Sequence, residues 1–309
     1  MRIGIVFNPS ARGEQARRFL AALQALAPGC DLFPTRGPGC AAQLAAAACQ
    51  RGIEILVAAG GDGTVSEVAD GMASIPGALE AVRLAIIPLG TINVFARELG
   101  IPRRIERAWQ VIRDGRELRV DLPRVELHDL AAPRQRHFVQ LAGCGLDSRA
   151  IAAVNWDWKK RVGPLAYVGA ALGVMRGAQP RVGIRAGNRS LEGELVLVGN
   201  GRFYAGDVTA FPGASLHDGV LDARVFPRVT LLTLCRFGLA WLARRPLSRS
   251  VAAVLQGTRF ELTSPAPLPV EVDGDNVGFL PATFTVPRER LRVLVPRLPT
   301  PGAAPRAIP

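Results

Sequence analysis

An apolar run, Ile53–Ala58, leads into Gly60-Gly61-Asp62-Gly63-Thr64, and a helical pattern, Val65–Met72, leads out. A strand that hands over to a helix through such a glycine-rich turn has few folds open to it. Glycines let the backbone approach a bound anion closely, and the helix start presents unpaired N–H groups to it. The design recurs one strand later, where Leu84–Ile87 runs into Pro88-Leu89-Gly90-Thr91-Ile92-Asn93 and a helix over Ile92–Leu99. It also follows the first strand, Ile3–Phe7, as Asn8-Pro9-Ser10-Ala11-Arg12-Gly13. Helical spacing over Glu14–Leu26, Ala41–Gln50 and Ile105–Asp114, with a short strand at Cys30–Pro34, completes the alternation. Alternation of this kind predicts an α/β domain with an open, mostly parallel sheet, and ligands then bind at the carboxyl edge of the strands. All three turns fall on that edge. Asp62 would repel a phosphate directly, so it makes sense facing a Mg²⁺ ion or orienting a hydroxyl. Neither G-x-x-x-x-G-K-[ST] nor a G-x-G-x-x-G after the first strand is present.

Beyond Asp121 the texture changes. Arg119–Leu127, His137–Ala142, Leu191–Val198, Leu221–Val225, Arg259–Thr263, Val270–Val272, Ala282–Val286 and Leu291–Val295 read as short strands between turn residues. Helical stretches are expected only around Ala150–Val174 and Thr230–Ala243. Many short strands with few helices predict an antiparallel β-sandwich. The expected organisation is an α/β nucleotide-binding domain over 1–122, a sandwich over 123–295, and a loose proline-rich tail over 296–309.

A length of 309 residues exceeds one comfortable core, and 49% apolar with 21% charged residues excludes a disordered chain. Residues 1–122 hold 14 basic and 12 acidic side chains, whereas 123–309 hold 24 and 14. The basic excess sits on the second half and suggests an anionic partner. Five scattered cysteines without a C-x-x-C pair argue against a disulfide framework or a zinc site. No signal peptide is expected at the N-terminus, and no uncharged apolar run is long enough to span a bilayer. A cytoplasmic protein, peripheral on the inner face of the membrane, is expected, and a homodimer is open.

Asn8-Pro9, Gly60-Gly61-Asp62-Gly63-Thr64 with Glu67, and Pro88-Leu89-Gly90-Thr91-Ile92-Asn93-Val94-Phe95-Ala96-Arg97 resemble the diacylglycerol kinase catalytic domain family. That superfamily includes bacterial soluble lipid kinases and sphingosine kinases, with NAD kinases and phosphofructokinases as distant relatives. The similarity continues in order through Gly143-Cys144-Gly145-Leu146-Asp147, Asn200 to Gly206, Leu216 to Asp222 and Asp273-Gly274-Asp275. The resemblance implies ATP-dependent phosphorylation of a lipid hydroxyl in a cleft between the two domains. By position, Asn8, Pro9, Ser10, Ala11, Arg12, Thr35, Gly60, Gly61, Asp62, Gly63, Thr64, Val65, Ser66, Glu67, Gly90, Thr91 and Asn93 would line the ATP site. Asp62 would hold the phosphates through Mg²⁺. Asp275 would take the hydroxyl proton, with Asp273 beside it. An accessory Mg²⁺ would be bound by Asp218 and the carbonyls of Ser215 and Val220.

The chain departs from the family at several points. Asp275 stands where the family has Glu, Ser66 replaces the usual Asn, and Ala205-Gly206-Asp207 replaces a glycine triplet. With a carboxylate one methylene shorter, tighter domain closure, an intervening water, or Asp62 as the base are all open. A NAD-kinase-like small-molecule kinase and a non-catalytic lipid or nucleotide sensor are the rival readings. Asn155 to Arg161 pairs two tryptophans with three cations, and Leu231–Ala243 is a candidate lipid-facing helix, although packing on the sandwich suits it too. With phosphate turns on the neutral half and charge on the other, the expected partners are a lipid substrate at the membrane surface and anionic phospholipid rather than nucleic acid.

Overall fold

The computed structural model describes residues 2–297 apart from 10–21, 24, 27, 129–132, 154–168, 170–172, 176, 178, 205, 207 and 244–251. Its first sheet has the strand order β2-β1-β3-β4-β20-β5. The strands are β1 (Ile3–Phe7), β2 (Asp31–Pro34), β3 (Ile55–Gly60), β4 (Arg83–Pro88), β5 (Arg116–Asp121) and β20 (Arg290–Val295). Every pairing is parallel except that of β5 with β20. β3 and β4 carry near-continuous apolar runs because both sheet faces are covered. The covering helices are α1 (Cys40–Gln50), α2 (Asp62–Ala73), α3 (Ala78–Ala81), α4 (Val94–Glu98) and α5 (Ile105–Asp114). The expected Glu14–Leu26 helix is described only at residues 22–23 and 25–26, where Leu23 is fully buried.

Two six-stranded antiparallel sheets make the second layer pair. One is ordered β10 (Arg189–Gly193), β9 (Val182–Ala186), β16 (Arg259–Thr263), β19 (Ala282–Thr285), β6 (Arg124–Leu127) and β7 (Arg134–His137); the other is ordered β15 (Ala253–Gly257), β14 (Leu221–Phe226), β11 (Leu195–Gly199), β8 (Leu141–Gly145), β17 (Pro269–Val272) and β18 (Asp275–Phe279). Their inner faces enclose a core that includes Phe138, Phe260, Phe284, Leu262 and Val196. A helix, α6 (Leu146–Ala153), follows β8, and the outer face of the same sheet carries another cluster, with Leu197, Phe211 and Phe226, on which α7 (Leu231–Leu242) rests.

Three segments expected as single strands each divide into two. Arg119–Leu127 splits at Leu122-Pro123 into β5 of the first sheet and β6 (Arg124–Leu127) of the sandwich. Proline cannot donate to a ladder, so the chain changes sheets there. His137–Ala142 divides between β7 (Arg134–His137) and β8 (Leu141–Gly145), and Leu191–Val198 divides at Glu194 into β10 (Arg189–Gly193) and β11 (Leu195–Gly199). Each pair lies in opposite sheets of the sandwich. The stretch expected as sandwich over 123–295 also sends its last strand, β20, back between β4 and β5. The two halves are therefore joined by two crossings, at Leu122-Pro123 and at β20. Among the described residues, no helix is long and apolar enough to cross a membrane.

Candidate functional site

β1 and β3 are neighbours in the first sheet while β2 lies on the far side of β1, so the strand order reverses at their carboxyl ends. Ligands bind at such points in open α/β sheets. Asn8 follows β1 and its N–H donates to Ala59 O at 3.2 Å, while Thr35 follows β2 and its N–H donates to Phe7 O at 2.8 Å. Pro9 is exposed on the same edge. Ser10, Ala11 and Arg12 lie outside the described residues.

The two glycine turns touch. A Cβ on Gly90 would meet Gly61 Cα at 2.6 Å and Asn93 Oδ1 at 2.8 Å, so neither turn accepts a larger residue without opening. Asn93 holds a left-handed backbone at φ 56° and is locked by its amide. Its Oδ1 accepts Gly90 N–H at 2.9 Å and its Nδ2 donates to Gly90 O at 2.7 Å. That left-handed residue delays α4 to Val94 instead of the expected Ile92. Asp62 opens α2, and its Oδ1 accepts Phe95 N–H at 3.4 Å across the gap between the turns. Burial pushes the Asp62 carboxyl up from its ordinary value, against the pull of the Phe95, Val94 and Asn93 N–H groups. Thr91 is exposed beside this turn, and Arg103 braces it from outside by donating to Thr91 O at 3.2 Å.

The second half reaches this edge through a hairpin. β17 (Pro269–Val272) and β18 (Asp275–Phe279) are joined by Asp273-Gly274, with φ 49° and 91°. Positive φ at both central residues makes a tight hairpin turn, for which Asp-Gly is a favoured pair. The turn delivers Asp275 to the start of α2: a Cβ on Gly63 would lie 3.4 Å from Asp275 Oδ2. Asp62, Gly63 and Asp275 thus share one helix start although more than two hundred residues separate them in sequence.

Asp273, expected among the catalytic carboxylates, is otherwise engaged. Its Oδ2 accepts Val139 N–H at 2.8 Å, and its Oδ1 accepts Gln140 and Leu141 N–H at 3.0 and 3.1 Å. With both oxygens held by backbone, it positions the turn instead of serving as a base. Ser66, fully buried on α2, faces this carboxyl without a hydrogen bond of good geometry. Glu67 also differs from expectation. Its carboxylate accepts Gly39 N–H at 2.8 Å and Ala41 N–H at 2.9 Å, capping α1 instead of facing the glycine turns. Thr64 and Val65 are buried on the first turn of α2. Ser215 bonds His217, while exposed Asp218 accepts Val220 N–H at 3.1 Å. These three stand apart from the glycine turns in sequence and belong to the segment that Asp121 anchors by accepting Gly219 N–H at 2.6 Å.

Beneath the Asp273-Gly274 turn lies an acid pair that sequence reasoning missed. Asp147 Oδ2 and Glu271 Oε1 both point at Gly143, where a Cβ would sit 2.8 and 2.7 Å from them. This explains why glycine stands at 143. Glu271 Oε2 accepts Gly274 N–H at 2.9 Å, and Asp147 Oδ1 accepts the Tyr204 hydroxyl at 2.8 Å. Burial, then the charge of Asp147, pushes the Glu271 carboxyl well above its ordinary value. A second missed residue is Glu98 at the end of α4. Its nearly buried carboxylate accepts Arg202 Nε at 2.7 Å and the N–H groups of Arg202 and Phe203 at 3.0 and 3.2 Å, bolting the second turn to the other half. Replacing Glu98 with Ala strands those donors. Glu98→Ala is expected to cost about 1–3 kcal/mol in urea unfolding, the range for leaving hydrogen-bonding groups unpaired. A loss under about 0.5 kcal/mol would show that this contact does not hold the halves together.

Two family models match consecutive parts of the chain. The diacylglycerol kinase catalytic domain matches residues 2–125, and the YegS C-terminal NAD kinase beta sandwich-like domain matches residues 141–295. The chain is 27% identical over 304 residues to a diacylglycerol kinase of Bacillus subtilis, covering 96% of this chain and 97% of the relative. It is 31% identical over 249 residues to a protein of Stenotrophomonas maltophilia named as a YegS-like lipid kinase, covering 77% and 78%. Its fold matches the crystal structure of a diacylglycerol kinase from Bacillus anthracis with a TM-score of 0.73 at 22% identity, over 95% of this chain and 96% of that one.

Proposed function

This chain belongs to the diacylglycerol kinase catalytic-domain family, and from that premise we propose that it transfers the γ-phosphoryl group of ATP to a hydroxyl of a diacylglycerol-like lipid. The observation that carries the reading is the approach of Asp275 Oδ2 to Gly63, at the start of the helix that Asp62 opens. The glycine turns and the N–H groups at the start of α2 bind phosphates, with Asn8 and Thr35 at the strand ends beside them. Asp275 accepts the proton of the lipid hydroxyl. The freed oxygen bonds to the γ-phosphorus as the bond to the leaving ADP oxygen breaks. Catalysis of this type rests on positioning and charge neutralisation.

Asp62 is a hard oxygen donor whose ionised form burial disfavours, which fits a bound cation. Asp62 would hold Mg²⁺, and Mg²⁺ would neutralise charge on the phosphates. An accessory Mg²⁺ is proposed at Asp218 with the carbonyls of Ser215 and Val220. The Asp222 carboxyl is raised by burial and further by the charge of Asp218, and a cation there would relieve that repulsion. The test is labelled ATP offered with diacylglycerol, sphingosine-like, undecaprenol-like and NAD acceptors. Label in a lipid, at least tenfold above the NAD arm, is expected. Label in NAD alone moves the assignment to a small-molecule kinase, and ATP binding without transfer makes the chain a sensor.

A further inference from the structure

We propose that α7 is the surface on which this chain docks to an anionic lipid bilayer, an inference that rests on the lipid-kinase reading above. The helix start is fixed by Thr230 and Thr233, each hydroxyl accepting the other residue's backbone N–H at 3.2 Å. One face is packed: Phe237 lies 5.3 Å from the Phe226 ring and 6.1 Å from the Tyr204 ring, and Thr233 is buried. This sets the rotation of the helix and turns its other face outward. Leu231, Leu232, Leu239 and Leu242 are then 61%, 59%, 64% and 75% exposed. Scattered single leucines on a surface need no partner, but four on one helix face, around exposed Cys235, form a stripe. The surrounding charge selects the occupant. Arg228 and Arg236 are exposed beside the stripe, and the sequence from Pro227 to Thr258 contains no acid. An apolar stripe set in cations suits the boundary between acyl chains and anionic headgroups. It suits a second copy poorly, because two such faces would oppose like charges. The helix also stands near the site: Phe237 packs on Tyr204, Tyr204 bonds Asp147, and Asp147 faces Gly143 together with the Glu271 that holds Gly274.

The full chain is sedimented with vesicles of phosphatidylcholine alone or with 30% phosphatidylglycerol, without ATP or acceptor, so that docking is read apart from the reaction. Wild type is expected to partition at least tenfold more to the anionic vesicles, and less as salt rises through about 0.5 M. Leu232→Glu/Leu239→Glu should lose at least tenfold of that partition with its unfolding midpoint unchanged, since both side chains already face water. Arg236→Glu should weaken binding and flatten its salt dependence. Unchanged partition of the double variant overturns the proposal, as does a wild-type dimer that the same substitutions dissociate without any vesicle binding. If the vesicles bind as stated while the acceptor panel labels no lipid, the docking surface stands and the kinase reading fails.

Discussion

Asp62→Asn is expected to lower kcat by about 10³-fold or more and yet to leave the folded protein at least as stable as wild type at pH 7. The opposition of the two effects follows from where the carboxyl sits. Its Oδ1 accepts Phe95 N–H between the two glycine turns, and an asparagine oxygen can accept the same bond. Burial raises the Asp62 pKa, so the folded state binds the proton more tightly than the unfolded chain does. The sign is then fixed: stability from this group is complete below the ordinary aspartate range near 4 and declines as pH climbs through the raised folded value. At pH 7 the ionised carboxylate is a cost that asparagine removes. The stability gain should vanish as pH falls toward about 4. Urea unfolding at pH 7 and pH 4 and turnover with labelled ATP measure both arms. Full activity in Asp62→Asn would sink the proposed function, and a large loss of stability at pH 7 would refute the electrostatic account of this carboxyl.

How much of this was legible in the chain depended on distance along it. The strand–turn–helix units around Gly60 and Gly90 are local, and their apolar runs, glycines and helix starts identify them within about three residues. Two helix starts move: α2 begins at Asp62, three residues before the expected Val65, and the left-handed backbone of Asn93 keeps Ile92 out of α4. The sandwich was legible as a class but not strand by strand. Leu191–Val198 reads as one strand in sequence, although the chain changes sheets at Glu194, whose N–H bonds Phe226 O across the edge. The return of Arg290–Val295 to the first sheet is equally invisible, since its alternation suits either sheet. The Asp273-Gly274 pair did carry a hairpin signal that would have placed β18. The use of Asp273 carried none, because its three N–H partners lie more than 130 residues away. Glu67 matches the family pattern by position, but its side chain caps α1. Glu98 and the Asp147–Glu271 pair look like ordinary acids until the fold supplies their partners.

Asp275 is where family pattern and geometry meet with the largest consequence. Asp275→Ala is expected to lower kcat about 10³-fold with little change in the KM for ATP, because the carboxylate acts on the acceptor proton rather than on the nucleotide. Asp275→Glu should stay within about tenfold of wild type. The shorter carboxyl stands beside Gly63, where a Cβ would lie 3.4 Å from Asp275 Oδ2. Glutamate restores the length that the family pattern has at this position. The turn beneath should be indifferent to the change, since Asp273 and Glu271 hold it through Val139, Gln140, Leu141 and Gly274. A structural role alone predicts a different pattern, in which both variants lower the unfolding midpoint and activity falls only in proportion to folded protein. Measuring kcat, KM for ATP and thermal midpoint on the two variants separates these cases. Should Asp275→Ala retain full turnover while Asp62→Asn is dead, the proton goes to Asp62, and the family's second acidic position serves this chain only as part of the turn.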